Sequence, residues 1–371
     1  MHLTGFDDYP FHQHPAPFGT AATSDAHYND GYFLAFYAPN WYFFSGLRLH
    51  PNVNVLDGWG SVAHNDEQAA IRLSRALHPK PDALSVGPLT YEIIEPLRKL
   101  RVCLLTNESG IEFDVTLETQ APPFVEERYQ HFKYGAVIND LIRYTQVCKA
   151  YGKAKFNGHT LEINNWHAMR DHSWGVRSSM AIPTGIKGVS ESQSRDKTRA
   201  LRMWVPFQVG NHVGFFNTHE DPDGKTIDFE GRIDFEDGTS VNLVSVKHKL
   251  EYITGTTRPK GGLLELEGED GIARHYTLSL AGTPADVQAG GYYRGWRDNL
   301  GPGVYRGENY YEIDRYASRP SDKKSAPPHV PEKHRLGPTE FPMILIGPDG
   351  DQGMAHFEHT ITGNFKPYGF K

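Results

Sequence analysis

Short runs of alternating apolar and polar residues recur along the chain, joined by two-residue turns, and this pattern predicts antiparallel hairpins. After Ser109-Gly110, the residues Ile111, Phe113, Val115 and Leu117 alternate with Glu112, Asp114, Thr116 and Glu118. One face of such a strand meets a core and the other meets water. Asn157-Gly158 separates residues 144–156 from 159–166, and Asn-Gly suits a turn in which both positions need positive φ. Asp237-Gly238, Asp270-Gly271 and Asp349-Gly350 repeat the device. Such a density of hairpins points to barrels or sandwiches. Helical signal is confined to residues 66–77 and 137–144, each read as a short helix, although Ile71 and Leu73 also fit a strand.

A chain of 371 residues exceeds what one hydrophobic core usually organises, so two domains, or one large double-barrel unit, are expected. The best boundary is 184–200, polar and rich in Ser, Lys and Gly, which divides the chain into 1–185 and 200–371. A proline-rich stretch, 318–337, reads as a surface loop able to cover a cavity mouth. Aromatics make up 12% of the chain, which supports a mainly β fold because such side chains fit pleated, half-buried surfaces. The net charge of -7, with both signs dispersed, leaves no basic field for nucleic acid. Cys103 and Cys148 have neither metal nor redox spacing and read as core thiols of a reducing compartment. Residues 1–17 hold Asp7, Asp8, His and Pro where a secretory signal would be basic and then apolar. No run approaches the ~20 apolar residues of a membrane-spanning helix. A cytoplasmic protein without membrane insertion is expected.

The densest chemical cluster is Trp166-His167-Ala168-Met169-Arg170-Asp171-His172-Ser173-Trp174-Gly175-Val176-Arg177, directly after the Asn157-Gly158 hairpin. Buried charges must pair or shift their pKa, so the run is either a rigid ion network or a functional site. In the first case Asp171 pairs with Arg170 or Arg177 while Trp174 plugs a barrel base. Strand alternation puts Arg170, His172 and Trp174 on one face and Asp171 and Ser173 on the other, unless a bulge intervenes, for which Gly175 offers a place.

Residues 31–50 add Tyr32, Phe33, Phe36, Tyr37, Trp41, Tyr42, Phe43 and Phe44, more aromatic area than one core face hides. They either pack a core or line a pocket in which Tyr37 and Trp41 touch a ligand. His64 is a candidate for the same pocket. Asn211-His212 and His219-Glu220 either face the first half across an interface or cap loops. The 19 histidines lack a His-Glu-x-x-His, paired cysteines or spaced carboxylates, so no metal is expected. Gly-x-Ser-x-Gly, phosphate-loop and dinucleotide motifs are also missing, which leaves serine hydrolase, nucleotide and nicotinamide chemistry without support and no organic cofactor in view.

Asp171-His172-Ser173-Trp174-Gly175 resembles the Asp-His/Arg-x-aromatic-Gly signature of the lipocalin-like superfamily that includes carotenoid 1,2-hydratases (hydroxyneurosporene synthases) and tocopherol cyclases. The longer form from Arg170 to Arg177 is similar to a bacterial branch of that superfamily. Where relatives often carry Trp two residues before the Asp, this chain has Met169, and its nearest upstream Trp is Trp166, so substrate identity is not carried over. The resemblance implies two consecutive lipocalin-like antiparallel barrels. In enzymatic members it implies protonation of an alkene in an apolar pocket, followed by hydration or ring closure. A tuned acid supplies the proton and an aromatic face stabilises the cation. Asp171 or His172 would be the acid and Trp174 the cation partner; Arg170, Trp166, Tyr37, Trp41, His64 and His212 would contact substrate. The expected activity is that of a hydratase, dehydratase, isomerase or cyclase on a terpenoid, steroid or similar alkene. The alternative is a non-catalytic carrier of a lipid or terpenoid. Expected partners are an apolar small molecule and, at most, a second copy in a homodimer.

Overall fold

The structure is a computed structural model that describes residues 3, 5–8, 15–178, 198–322, 324–335 and 337–371. Its first sheet takes β1 (Tyr28–Ala38), β2 (Trp41–His50), β3 (Val55–His64), β4 (Glu67–Ala76), β5 (Ser85–Val86), β6 (Leu89–Glu95), β7 (Lys99–Leu104), β8 (Glu112–Thr119), β9 (Phe124–Val125), β10 (Tyr129–Lys133), β11 (Ala136–Phe156) and β12 (His159–Arg177). The second takes β13 (Leu201–Val209), β14 (His212–Glu220), β15 (Thr226–Phe235), β16 (Ser240–Tyr252), β17 (Pro259–Gly268), β18 (Ala273–Leu280), β19 (Ala285–Asp286), β21 (Thr339–Ile346) and β22 (Gln352–Ile361). Between them β20 (Tyr310–Ala317) returns to the first sheet and pairs with β4.

The second sheet closes into an antiparallel barrel, because β18 pairs with β21 as well as with β17. The first curls into a half-barrel, in the order β20-β4-β3-β2-β1-β12-β11-β8-β7-β6-β5. The mainly β expectation thus holds, with one unit closed and the other curled. All five turn motifs join hairpin strands; at the β11–β12 turn Asn157 and Gly158 have φ of 51° and 80°, the positive values that favour this pair. The expected boundary, 184–200, lies outside the described residues except for 198–200.

The two helical readings are corrected. Residues 67–76 form β4 and residues 137–144 belong to β11. In β4, Ala69, Ile71 and Leu73 enter the half-barrel core while Gln68 and Arg72 on the other face are also buried. Gln68 donates to the Asp286 carbonyl and Arg72 to that of Ala289, so polar residues here mark a second packed layer rather than solvent. The stretch 318–337 is likewise more than a surface loop, since Ser325, Ala326 and Val330 are buried.

Three cores result. One fills the half-barrel around Leu34, Phe36, Phe43 and Ala168; a second fills the closed barrel around Met203, Phe207 and Phe357. The third lies between the units and joins Phe33, Tyr37, Tyr42 and Met169 to Trp204, Phe215 and Met354. Strand β1 is therefore buried on both faces, which accounts for its unbroken apolar run from Tyr32 to Ala38. Among the described residues no helix is long and apolar enough to cross a membrane.

Candidate functional site

Strand β12 decides which side chains meet. It pairs without a break from His167 to Val176 with β1 and with β11, so its side chains alternate strictly. The bulge at Gly175 does not form: Gly175 sits opposite Leu141 in register, and with φ of 135° a Cβ there would lie 2.2 Å from the Asp140 carbonyl oxygen. Arg170, His172 and Trp174 point into the half-barrel, whereas Met169, Asp171, Ser173 and Arg177 face the second unit.

On the half-barrel side, Arg170 donates from Nε and Nη2 to Gln146 Oε1 at 2.9 and 2.6 Å. His172 Nε2 lies 2.7 Å from Asp30 Oδ1, and its ring centroid is 4.4 Å from that of Tyr32 and 5.2 Å from that of Trp174. Trp174 is partly exposed. This is an aromatic cluster tied down by hydrogen bonds to Gln146 and Asp30 and open to solvent at Trp174.

On the opposite side, a cavity of about 320 Å³ opens between the two units. Asp171 lines it, paired in the sheet with Phe33 and Thr145. Its Oδ1 is buried without a hydrogen-bond partner among the described residues. Burial pushes the Asp171 carboxyl above its ordinary value, against the opposing pull of Arg143 and Arg48. The next row across the sheet reads Arg48, Gly31, Ser173, Arg143, so Ser173 stands between two guanidinium-bearing strands. Arg143 binds Glu126 through both nitrogen arms, and the Arg143 guanidinium lies 5.2 Å from the Trp204 ring of the second unit. Arg202 pairs with Glu358 on the far wall. Tyr292 and Tyr293, on the segment leading to β20, complete the enclosure. A second cavity of about 420 Å³ shares Arg143, Arg177, Arg199, Arg202 and His219 with the first and extends it past Glu126 and Glu230.

A buried string of groups reaches the same space from the interface. Tyr42 Oη and His356 Nδ1 are 2.5 Å apart, and His356 Nε2 lies 2.9 Å from Glu340 Oε2, off the line of a good hydrogen bond. Glu340 lines the cavity, and burial lifts its carboxyl to about 7 despite the nearby His356. Two carboxyls with raised pKa, Asp171 and Glu340, thus face one cavity from different units.

The family of unknown function DUF8625 matches residues 3–371. The chain belongs to this family. No curated protein matches the sequence. The DUF8625 chain is similar in fold to the protein designated AttH from Nitrosomonas europaea, with 10% identity, a TM-score of 0.54, and coverage of 95% of this chain and 98% of that one. CghA, solved with Sch210972, gives 9% identity, a TM-score of 0.50, and coverage of 91% and 89%. Kievitone hydratase from Nectria haematococca gives 11% identity, a TM-score of 0.47, and coverage of 93% and 94%. At these identities the likeness is one of architecture.

The remaining residues singled out in the sequence are scattered across the DUF8625 fold. Tyr37 is buried between the units, with its ring centroid 5.7 Å from that of Tyr42. Trp41 stacks on His64 at 3.5 Å, at the end of the half-barrel against which Trp166 packs, and His64 Nδ1 is 2.7 Å from the Asn40 carbonyl. His212 lies in the second unit, Nε2 at 2.9 Å from Tyr276 Oη. Of the second-half histidines discussed, His219 reaches the cavity, held by Asp228 at 2.7 Å. Sequence reasoning missed Arg48, Arg143, Arg202, Tyr292 and Glu340. The available signal was a charge inside an apolar stretch, as in Leu47-Arg48-Leu49 and Leu201-Arg202-Met203. Among the described residues one His and carboxylate group, Glu312, Asp314 and His329, could gather a metal ion, but the Arg72 guanidinium already pairs with both carboxylates.

Proposed function

We propose that this protein is an acid-catalysed lyase or isomerase whose reaction takes place in the cavity between the two units, with Asp171 as the proton donor. The observation that carries the reading is Asp171 itself, a buried carboxyl on a cavity wall with a raised pKa and an unpartnered oxygen. Such a group keeps its proton to higher pH and can pass it to an alkene or enol carbon, then recover it from the water or adjacent C–H that ends the reaction. Phe33 and Tyr292 offer apolar surface to the carbon skeleton. That CghA, of similar fold, was solved with Sch210972 supports an architecture that accommodates an organic ligand. The substrate in this reading is an alkene-bearing molecule, of terpenoid, steroid or similar skeleton, that carries oxygen functions. His172 and Trp174 lie on the other face of β12, away from this cavity.

The test starts with native mass spectrometry of the ligand retained on purification, followed by its turnover. Asp171→Asn should cut turnover at least about a hundredfold, the usual scale for a general acid, while His172→Gln stays near wild type. Full turnover by Asp171→Asn rejects the assignment, and a retained ligand that wild type never converts favours the carrier.

A further inference from the structure

Five arginines surround the cavity and three are matched by carboxylates. Arg143 is held by Glu126, Arg202 by Glu358, and Arg199 by Asp228 at 2.9 Å. Arg48 and Arg177 have no carboxylate oxygen within 4.0 Å among the described residues. Arg48 is 1% exposed; its Nη1 donates to Asn29 Oδ1 at 2.5 Å, its two Nη atoms lie 3.5 and 3.4 Å from Ser173 Oγ, and its Nε has no partner. Gly31 stands between Arg48 and Ser173 in the sheet and offers no side chain to obstruct the reach. The Arg177 side chain makes no hydrogen bond or ion pair among the described residues.

Building on the reading that this cavity is the reaction site, we infer that Arg48 and Arg177 form a preformed anion subsite that takes a carboxylate or delocalised enolate oxygen pair of the substrate. Leaving the buried Arg48 guanidinium with neutral partners is costly, the half-buried Arg177 adds a second set of donors on the same cavity, and a planar two-oxygen anion matches such forked donors. Asp171 does not fill this role, since neither arginine bonds it and its own carboxyl is biased toward the neutral form. Burial together with the neighbouring Arg48 and Arg143 also pushes the Arg177 pKa down, the direction expected of a cation awaiting a counter-charge. Tyr292 stands near both arginines and is affected by each. The substrate is thereby narrowed to an acid or an acidic 1,3-dicarbonyl attached to an apolar body, with the anion seated at Arg48 and Arg177 and the alkene toward Asp171.

Two dyes test this without any reaction. The first, 8-anilinonaphthalene-1-sulfonate, has an aromatic body with a fixed anion; the second, N-phenyl-1-naphthylamine, is the same body without it. Fluorescence titration of wild type should show the sulfonate bound at least about tenfold more tightly, the scale of a charge-assisted contact. Arg48→Met and Arg177→Met should each remove most of that preference and leave the neutral dye within about twofold. Equal binding of the two dyes by wild type overturns the inference and needs no variant, so a substitution that fails to fold does not protect it. Unchanged sulfonate binding in both Met variants overturns it as well. Neither dye is turned over, so failure here leaves the role of Asp171 standing, and failure of Asp171→Asn to lose turnover leaves the anion subsite standing.

Discussion

Strand β11 carries two bidentate arginine–carboxylate pairs that differ in burial, and they measure how dry the cavity wall is. Arg143 and Glu126 have side chains 11% and 5% exposed, and the acid also accepts from Thr145 Oγ1 at 2.8 Å and from Trp204 Nε1 at 3.1 Å across the unit boundary. Arg128 and Asp140 have the same fork, at 2.7 and 2.8 Å, but are 63% and 27% exposed. Glu126→Gln keeps the shape, removes the charge and leaves the Arg143 guanidinium buried without its counter-ion. Breaking a buried pair in this way costs about 3–5 kcal/mol, whereas an exposed pair contributes little. Unfolding entropy of roughly 2 cal/mol/K per residue turns that cost into a drop of about 4–6 °C in melting temperature for a cooperative chain of this length. Asp140→Asn should leave the melting temperature nearly unchanged. Calorimetry and urea unfolding of both variants decide the matter. Equal effects would mean that water screens the cavity wall as it does the surface, and the argument for a desolvated Asp171 would fall with it.

Two further outcomes follow from the buried interior. Gly46→Ala places a Cβ 1.9 Å from the Trp59 ring, and because Trp59 is buried between the units the clash should destabilise by at least about 1–3 kcal/mol in urea unfolding; a neutral result would show that the indole moves freely. Burial lifts the Asp57 carboxyl from 3.8 to about 6, even though Oδ2 accepts the Gly303 N–H at 2.7 Å. Its proton is held more tightly in the folded state, so its contribution to stability is present below pH 3.8 and lost as pH rises through 6. Relative to Asp57→Asn, wild type should therefore lose about 2–3 kcal/mol between pH 4 and pH 7, and a flat difference across that window rejects the burial argument.

What the sequence makes legible is what is local. Asn157-Gly158 and the four other turn pairs encode their own backbone geometry, so the hairpins could be placed from residue type alone. Strand parity is equally local, and it separates Asp171 from His172 and Trp174 as expected. What covers each face is not local. The aromatic run of β1 is consistent with one rich core or two, and only docking of the second unit buries Phe33 and Tyr37 as well as Leu34 and Phe36. For the same reason Arg72 looks like a solvent residue of a helix until Glu312 and Asp314, some 240 residues away, arrive beside it on β20. Glu340 carries no motif at all; its raised carboxyl pKa comes from burial, which only the fold supplies by bringing the β2 residue Tyr42 and His356 against it.

The location of the cavity follows from the same geometry. Both sheet interiors are filled by their own apolar rows, so space remains where two convex surfaces meet and diverge. Along the interface face of β12, Met169 belongs to the apolar seam while Asp171, Ser173 and Arg177 continue past it into polar ground. One strand face therefore both joins the units and carries the chemistry. The seam keeps water from the inner side of Asp171, which is why its carboxyl is raised although three arginines lie near. The glue and the acid are consequently coupled: loosening the packing of Met169, Phe33 or Trp204 should admit solvent to Asp171 and return its pKa toward the ordinary carboxylate range.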